Sequence, residues 1–180
     1  MARILIASDI HGDANTAERL VEIYKASGAE KLLLLGDILY HGPRNDLPAG
    51  YAPKKVIELL NPLKNDILAV RGNCDTEVDQ MVLEFPILAD YAVFSVGGRT
   101  IYATHGHKYN TECPPPLAKG DILLHGHTHV LGVTPFGNEN YYINPGSVAL
   151  PKNGNPRSLM VLDEEGLCCL DLDGNELFRF

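Results

Sequence analysis

Three short, mainly apolar runs constrain the fold of this chain most: residues 3–8 (RILIAS), 32–37 (LLLLGD) and 67–73 (ILAVRGN). A strand that is apolar without alternation has to be covered on both faces, which is the habit of a parallel sheet held between layers. Between these runs the spacing becomes helical. Residues 15–27 set Ala17, Leu20, Val21, Ile23 and Tyr24 on one stripe and stop at Gly28, and residues 53–60 open with a proline suited to a first turn. Strand, helix, strand, helix, strand predicts right-handed crossovers between strands that run in one direction.

From Tyr91 the pattern changes to short runs: AVFSV, RTIYAT, DILLHG, VLGVTPF, NYYIN, RSLMVLD, GLCCLDL and ELFRF. Tight turns such as Gly97-Gly98, Glu165-Gly166 and Asp173-Gly174-Asn175 separate them, which predicts antiparallel hairpins in a second sheet packed on the first. No repeat or linker interrupts the chain, so residues 1–180 are expected to form one domain. The longest irregular stretch, residues 41–53 (HGPRNDLPAGYAP), reads equally as a functional lid or a plain surface loop.

Composition excludes several partner classes. The net charge of -8 and the lack of any basic run argue against nucleic acid. The four cysteines (Cys74, Cys113, Cys168, Cys169) form no CxxC pair, which disfavours a disulfide framework or a zinc ribbon and makes a reducing cytoplasm the expected location. Asp9 and His11 come too early for a signal peptide, and no apolar run approaches the ~20 residues that span a bilayer.

Five polar clusters stand at the ends of apolar runs: Asp9-Ile-His11-Gly12, Gly36-Asp37, Gly72-Asn73-Cys74-Asp75, His105-Gly106-His107, and His125-Gly126-His127-Thr128-His129. The carboxyl ends of strands are where α/β sheets bind ligands, and glycine lets the backbone turn and approach closely. Several carboxylates gathered together need a counter-charge, and a cation supplies it. Carboxylate, imidazole and amide oxygen suit Mn²⁺, Fe²⁺, Ni²⁺ or Zn²⁺, while the lack of a thiolate cluster disfavours structural zinc. Two metals need a bridging ligand, and the Asp37 carboxylate can give one oxygen to each.

In chain order the clusters read DxH, GD, GNCD, H and GHTH, and NPGSV follows at 144–148. This series resembles the signature of the calcineurin-like metallophosphoesterases and runs over residues 9–129. GDILYHGPRN and RGNCDTEVDQM make the sequence most similar to the small bacterial YfcE-type phosphodiesterases, in which cysteine commonly stands where larger relatives have histidine. The resemblance implies an α/β fold, a four-layer α/β/β/α sandwich of two mixed β-sheets flanked by helices. It implies two divalent metal ions, Mn²⁺ foremost. Asp9, His11, Asp37 and His129 would hold the first, and Asp37, Asn73, His105 and His127 the second. The implied reaction is hydrolysis of a small phosphodiester by a hydroxide bridging two metals ~3.5–4 Å apart.

Cys74 admits several readings: nucleophile, metal ligand, general acid or small space-filler. A cysteine phosphatase needs a Cys-x5-Arg loop, and Gln80 stands where the arginine belongs. As an acid, a thiol near pKa ~8.5 is poorer than imidazole near ~6.5, so departure would depend on the leaving group itself and favour aryl phosphodiesters. His41 is a candidate proton donor or an exposed loop residue, and Arg44 a candidate contact for substrate phosphate. Asp75 is expected either to orient a neighbouring group or to cap a helix, His107 and His125 to support the ligands or pack beside them, and Ser147 to buttress the site. Two other functions stay open: a non-catalytic scaffold like the retromer subunit of the same fold, and a cyclic-nucleotide phosphodiesterase with Tyr40, Tyr51 or Tyr109 against the base. Relatives often associate, so a homo-oligomer is compatible with the chain.

Overall fold

A computed structural model describes residues 3–180. Its first half realises the alternation read from the sequence: β1 (Ile4–Ala7), α1 (Ala14–Ser27), β2 (Lys31–Leu34), α2 (Pro53–Leu60) and β3 (Ile67–Ala69). The three strands are parallel, with Leu5 paired to Leu32 and Leu32 to Ile67. Helix α1 begins where the Asp13 carboxylate accepts the N–H groups of Asn15 and Thr16, and it ends at Gly28 in the left-handed region, φ 69°. A side chain at Gly28 would be strained there, which is why glycine stops the helix. Helix α2 has Pro53 in its first turn and buries Val56 and Leu60.

A single-turn helix α3 (Glu77–Gln80) precedes the strand-rich half. That half contains β4 (Tyr91–Val96), β5 (Arg99–Thr104), β6 (Ile122–His125), β7 (Gly132–Phe136), β8 (Asn140–Asn144), β9 (Ser158–Asp163), β10 (Gly166–Asp171) and β11 (Glu176–Arg179). The expected hairpins form at β4–β5, β7–β8, β9–β10 and β10–β11. Two features differ from the expectation. Strand β6 lies parallel to both β5 and β8, so the second sheet (β4-β5-β6-β8-β7) is mixed. The last three strands leave that sheet, and β9 pairs antiparallel with β1, giving a six-stranded order β11-β10-β9-β1-β2-β3. The physical reason is burial. All four residues of β6 and the first five of β9 are buried, so both need neighbours on each edge and cover on each face.

Apolar residues fill two layers. Leu5, Ala7, Leu32, Leu34 and Val161 pack outward against Leu20, Val56 and Leu60 of the helices. Ile6, Leu33, Met160 and Leu162 point the other way, onto Ile101, Ala103, Leu124 and Ile143 of the second sheet. Strands covered on both faces are the reason the runs at 3–8 and 32–37 read as continuous apolar sequence. Each such side chain, fully buried, contributes ~1.5–3 kcal/mol. The architecture is thus the α/β sandwich of two mixed sheets. Among the described residues no helix follows Gln80, and in the irregular chain at 105–120 Tyr109, Pro115 and Pro116 share a small surface cavity with Tyr91, Val93 and Tyr102 of the five-stranded sheet. Tyr109 anchors this segment, its carbonyl accepting from Thr104 Oγ1 at 3.1 Å and its ring meeting Tyr91 edge-on.

Candidate metal centre

The polar clusters follow strands that end on one side of the sandwich. Asp9 and His11 follow β1, Asp37 follows β2, Asn73 follows β3, His105 follows β5, and His127 and His129 follow β6. Backbone bonds lace the turns together: Asp9 N–H donates to the Gly36 carbonyl (3.1 Å) and His11 N–H to that of Asp37 (2.9 Å). Five of these side chains sit on left-handed backbone: Asp9 (φ 60°), His11 (49°), Asp37 (55°), His127 (66°) and His129 (60°). Each such residue costs ~1–2 kcal/mol, and strain of this kind concentrates at functional sites. Gly72 has an ordinary φ, and its role is space: a Cβ there would overlap the Asp37 carboxylate and backbone N.

The side chains converge in two sets. In the first, His11 Nε2 lies 3.2 Å from His129 Nε2, 3.5 Å from Asp9 Oδ1 and 3.6 Å from Asp37 Oδ2, and His129 Nε2 lies 3.3 Å from Asp9 Oδ1. In the second, His105 Nε2 lies 3.1 Å from Asn73 Oδ1, 3.2 Å from His127 Nδ1 and 3.4 Å from Asp37 Oδ2. Metal bonds of ~2.0–2.2 Å set neighbouring ligand atoms roughly 3.0–3.6 Å apart, so both sets match the edges of a coordination polyhedron. Asp37 Oδ2 belongs to both. Its Oδ1 is occupied by the Cys74 N–H at 2.8 Å, so the carboxylate offers one shared oxygen rather than one oxygen to each set.

Backbone carbonyls fix the rings. His11 Nδ1 donates to Tyr40 (2.8 Å), His105 Nδ1 to Leu35 (2.7 Å) and His129 Nδ1 to Leu150 (2.6 Å). Each leaves an Nε2 lone pair facing the centre, the second-sphere arrangement typical of metal-binding histidines. Ser8 Oγ and His127 N–H both donate to Asp9 Oδ2, whereas the buried Asp9 Oδ1 has no hydrogen-bond partner. A buried carboxylate oxygen without a donor is costly unless a cation meets it.

Without a metal, protons carry the counter-charge. Burial alone would raise the Asp9 carboxyl, but His11 and His129 hold it well below the carboxylate range. Burial opposes a charge on His105 too, yet Asp37 and Asp9 lift it to about 9. Burial, then the Asp37 charge, raises the Cys74 thiol far above its ordinary value, so it stays neutral. His107 and His125 are both depressed to about 4, chiefly by burial and then, for His107, by the charge of His105.

A cavity of about 280 Å³ opens on the centre, lined by Asp37, Arg44, Asn73, Cys74, His127 and His129, among others. Arg44 is on the wall of this cavity. His41 is not among the lining residues. Its ring packs between Tyr40 and Tyr51, edge-on to both. His125 stacks on Tyr142 with centroids 4.3 Å apart. Ser147 buttresses as expected, donating to the Asp9 carbonyl at 2.8 Å. Asp75 does not cap a helix; Thr76 caps α3 with Asp79 in a capping box. The Asp75 carboxylate instead accepts from Asp37 N (2.8 Å), Ile38 N (2.9 Å) and Gly72 N (2.7 Å). Lys152 also lines the cavity, and sequence reading missed it because nothing in PKNGN distinguishes it from a surface lysine.

Comparison with known proteins fits this geometry. The model of the calcineurin-like phosphoesterase superfamily domain matches residues 2–166. The phosphodiesterase YfcE of Escherichia coli K12 is 46% identical over 177 residues, covering 98% of this chain and 96% of that protein. The solved structure of that E. coli phosphoesterase superposes with a TM-score of 0.94 at 45% identity, over 99% of this chain and 98% of that one. Vacuolar protein sorting 29 from Cryptosporidium parvum superposes at TM-score 0.62 and 20% identity, over 99% of this chain and 98% of that one, a likeness of fold alone.

Proposed function

The chain belongs to the calcineurin-like phosphoesterase superfamily, and on that basis we propose that it is a dinuclear metal-dependent phosphodiesterase acting on small substrates with good, aryl-type leaving groups. Asp9, His11, Asp37 and His129 would hold one ion, and Asp37, Asn73, His105 and His127 the other. One observation carries the reading above all: Asp9 Oδ1 is buried, lacks a donor, and faces His11 Nε2 and His129 Nε2 at 3.5 and 3.3 Å. Mn²⁺ is the proposed ion, and Fe²⁺, Ni²⁺ and Zn²⁺ suit the same donors.

When bound, two divalent ions supply Lewis acidity that makes water a nucleophile near neutral pH and offsets charge on the phosphoryl oxygens. Two dications against two carboxylates leave a net +2, enough to attract an anion within a protein of net charge -8. The chain's own residues do the rest. The carbonyls of Tyr40, Leu35 and Leu150 hold the three Nε2 ligand atoms inward. Arg44, at the cavity wall, contacts a non-bridging phosphoryl oxygen. Cys74 stands at the wall as a neutral thiol, a weak nucleophile and a poorer proton donor to the departing oxygen than an imidazole would be. Departure then rests on the stability of the leaving group. His41, wedged between two tyrosines, is the remaining candidate proton donor, and its packing supports a structural role. Among the described residues no helix is long and apolar enough to cross a membrane, and four unpaired cysteines suit a reducing cytoplasm.

Hydrolysis of bis(p-nitrophenyl) phosphate by Mn²⁺-loaded protein tests the reading. Turnover is expected, with losses of at least ~100-fold in Asp37→Ala and Asn73→Ala. A protein that binds two metals yet turns over no diester would favour the scaffold reading instead.

A further inference from the structure

Lys152 has a setting that an ordinary surface lysine lacks. Its N–H donates to the carbonyl of His129 at 3.1 Å, and its own carbonyl accepts from both the N–H (3.1 Å) and Nδ2 (2.8 Å) of Asn155. The backbone is thus pinned beside a proposed metal ligand, and the residue lines the same cavity as Arg44, Asn73 and Cys74. Most basic side chains of this acidic protein carry an ion pair. Lys25, Arg44, Lys54, Arg99 and Lys152 have none among the described residues, and two of these five line this one cavity.

Charge counting separates their roles, on the premise that the diesterase reading above holds. A phosphodiester carries one negative charge at phosphorus, already faced by the net +2 of the proposed centre and by Arg44. A further unpaired cation on the cavity wall is left for a different anion. We propose that Lys152 is a specificity-determining residue that selects phosphodiesters whose non-leaving arm carries its own negative charge. Hydrolysis of such a substrate adds water across the P–O bond to the leaving group. It releases an alcohol or phenol and leaves a phosphomonoester on the anionic arm. A lysine ammonium suits this task because it is a compact charge on a flexible stem, tolerant of arm geometry.

Three p-nitrophenyl phosphodiesters that share one leaving group test the proposal: ethyl (neutral arm), carboxymethyl (one charge) and 2-phosphoethyl (a second phosphate). With Mn²⁺-loaded wild type, kcat/KM for both charged arms is expected to exceed that for the ethyl arm by about tenfold, chiefly through KM, the scale of one charge-assisted hydrogen bond. The charged-to-neutral ratio should fall to about 2 in Lys152→Met and return in Lys152→Arg. The relative rates of the two charged esters distinguish a carboxylate from a phosphate as the preferred group. A wild-type ratio near 1, or an unchanged ratio in Lys152→Met, overturns the role of Lys152 and leaves the diesterase reading standing. Failure of all three esters to react would remove the diesterase reading, and this inference with it.

Discussion

Replacing Asp75 should loosen the centre without touching a proposed ligand. Its carboxylate is 1% exposed and accepts three backbone N–H bonds, from Asp37, Ile38 and Gly72, at 2.7–2.9 Å. Those donors belong to the turns after β2 and β3, which carry Asp37 and Asn73. Asp75→Ala strands three donors, each worth ~1–3 kcal/mol when left unpaired in the interior. Water entering the vacated space recovers part of this, so the lower bound of about 3 kcal/mol is the sound expectation. For a protein of this size that is a fall in Tm of about 6–12 °C. Metal affinity should drop by about 10–100-fold, as when an outer-shell support is removed. Asp75→Asn keeps the shape but turns one acceptor into a donor facing backbone N–H groups, and should lose nearly as much. Burial lifts the Asp75 carboxyl to about 6, so the comparison belongs at pH 8, where the wild-type group is ionised. Thermal melts and Mn²⁺ titrations of the three proteins measure both effects. An Asp75→Ala protein that melts within 2 °C of wild type, with unchanged affinity, would refute the clamp.

Other outcomes follow from the same geometry. His105 sits at about 9 without metal, so below that pH an incoming ion must displace its proton. Apparent metal affinity should rise about tenfold per pH unit from 7 to 9 and then flatten, as read by chelator competition. The raised value also means that metal-free protein loses stability as pH climbs from ~6.5 through about 9, and a metal-loaded sample should not. Cys74→His installs a better acid beside Asn73, so the dependence of rate on leaving-group pKa should become shallower; identical slopes for Cys74→His and Cys74→Ala would contradict a role for this position in departure. Gly72→Ala drives a methyl into the Asp37 carboxylate and backbone, and should abolish measurable metal binding in a titration while lowering Tm.

The polar clusters that carry the seven proposed ligand residues were legible in the sequence because each stands directly after an apolar run, and strand ends are shared ground in an α/β sheet; which members of each cluster to propose as ligands came from the family resemblance. Both main helices were legible through their apolar stripes and their Pro53 and Gly28 boundaries. The partner of β9 was not: RSLMVLD announces a buried strand, but burial carries no information about which neighbour supplies the other half of the ladder. The parallel placement of β6 was hidden for the same reason. Of the two readings of Asp75, the helix cap failed: a carboxylate before a short helix looks like a cap, and only the folded turns bring the N–H groups of Asp37 and Ile38 to it across 37–38 residues. Lys152 was invisible because its significance lies in the bond from its N–H to His129, which no local pattern encodes. The single shared oxygen of Asp37 became apparent only once Cys74 N–H was found on the other one.

Anomalous diffraction from crystals soaked in Mn²⁺ bears most directly on the paired-ion claim. Two peaks per chain are predicted, ~3.5–4 Å apart, one between Asp9, His11 and His129, the other between Asn73, His105 and His127, with Asp37 Oδ2 touching both. A pocket without manganese, or a lone peak that leaves Asp9 Oδ1 unliganded, would contradict it.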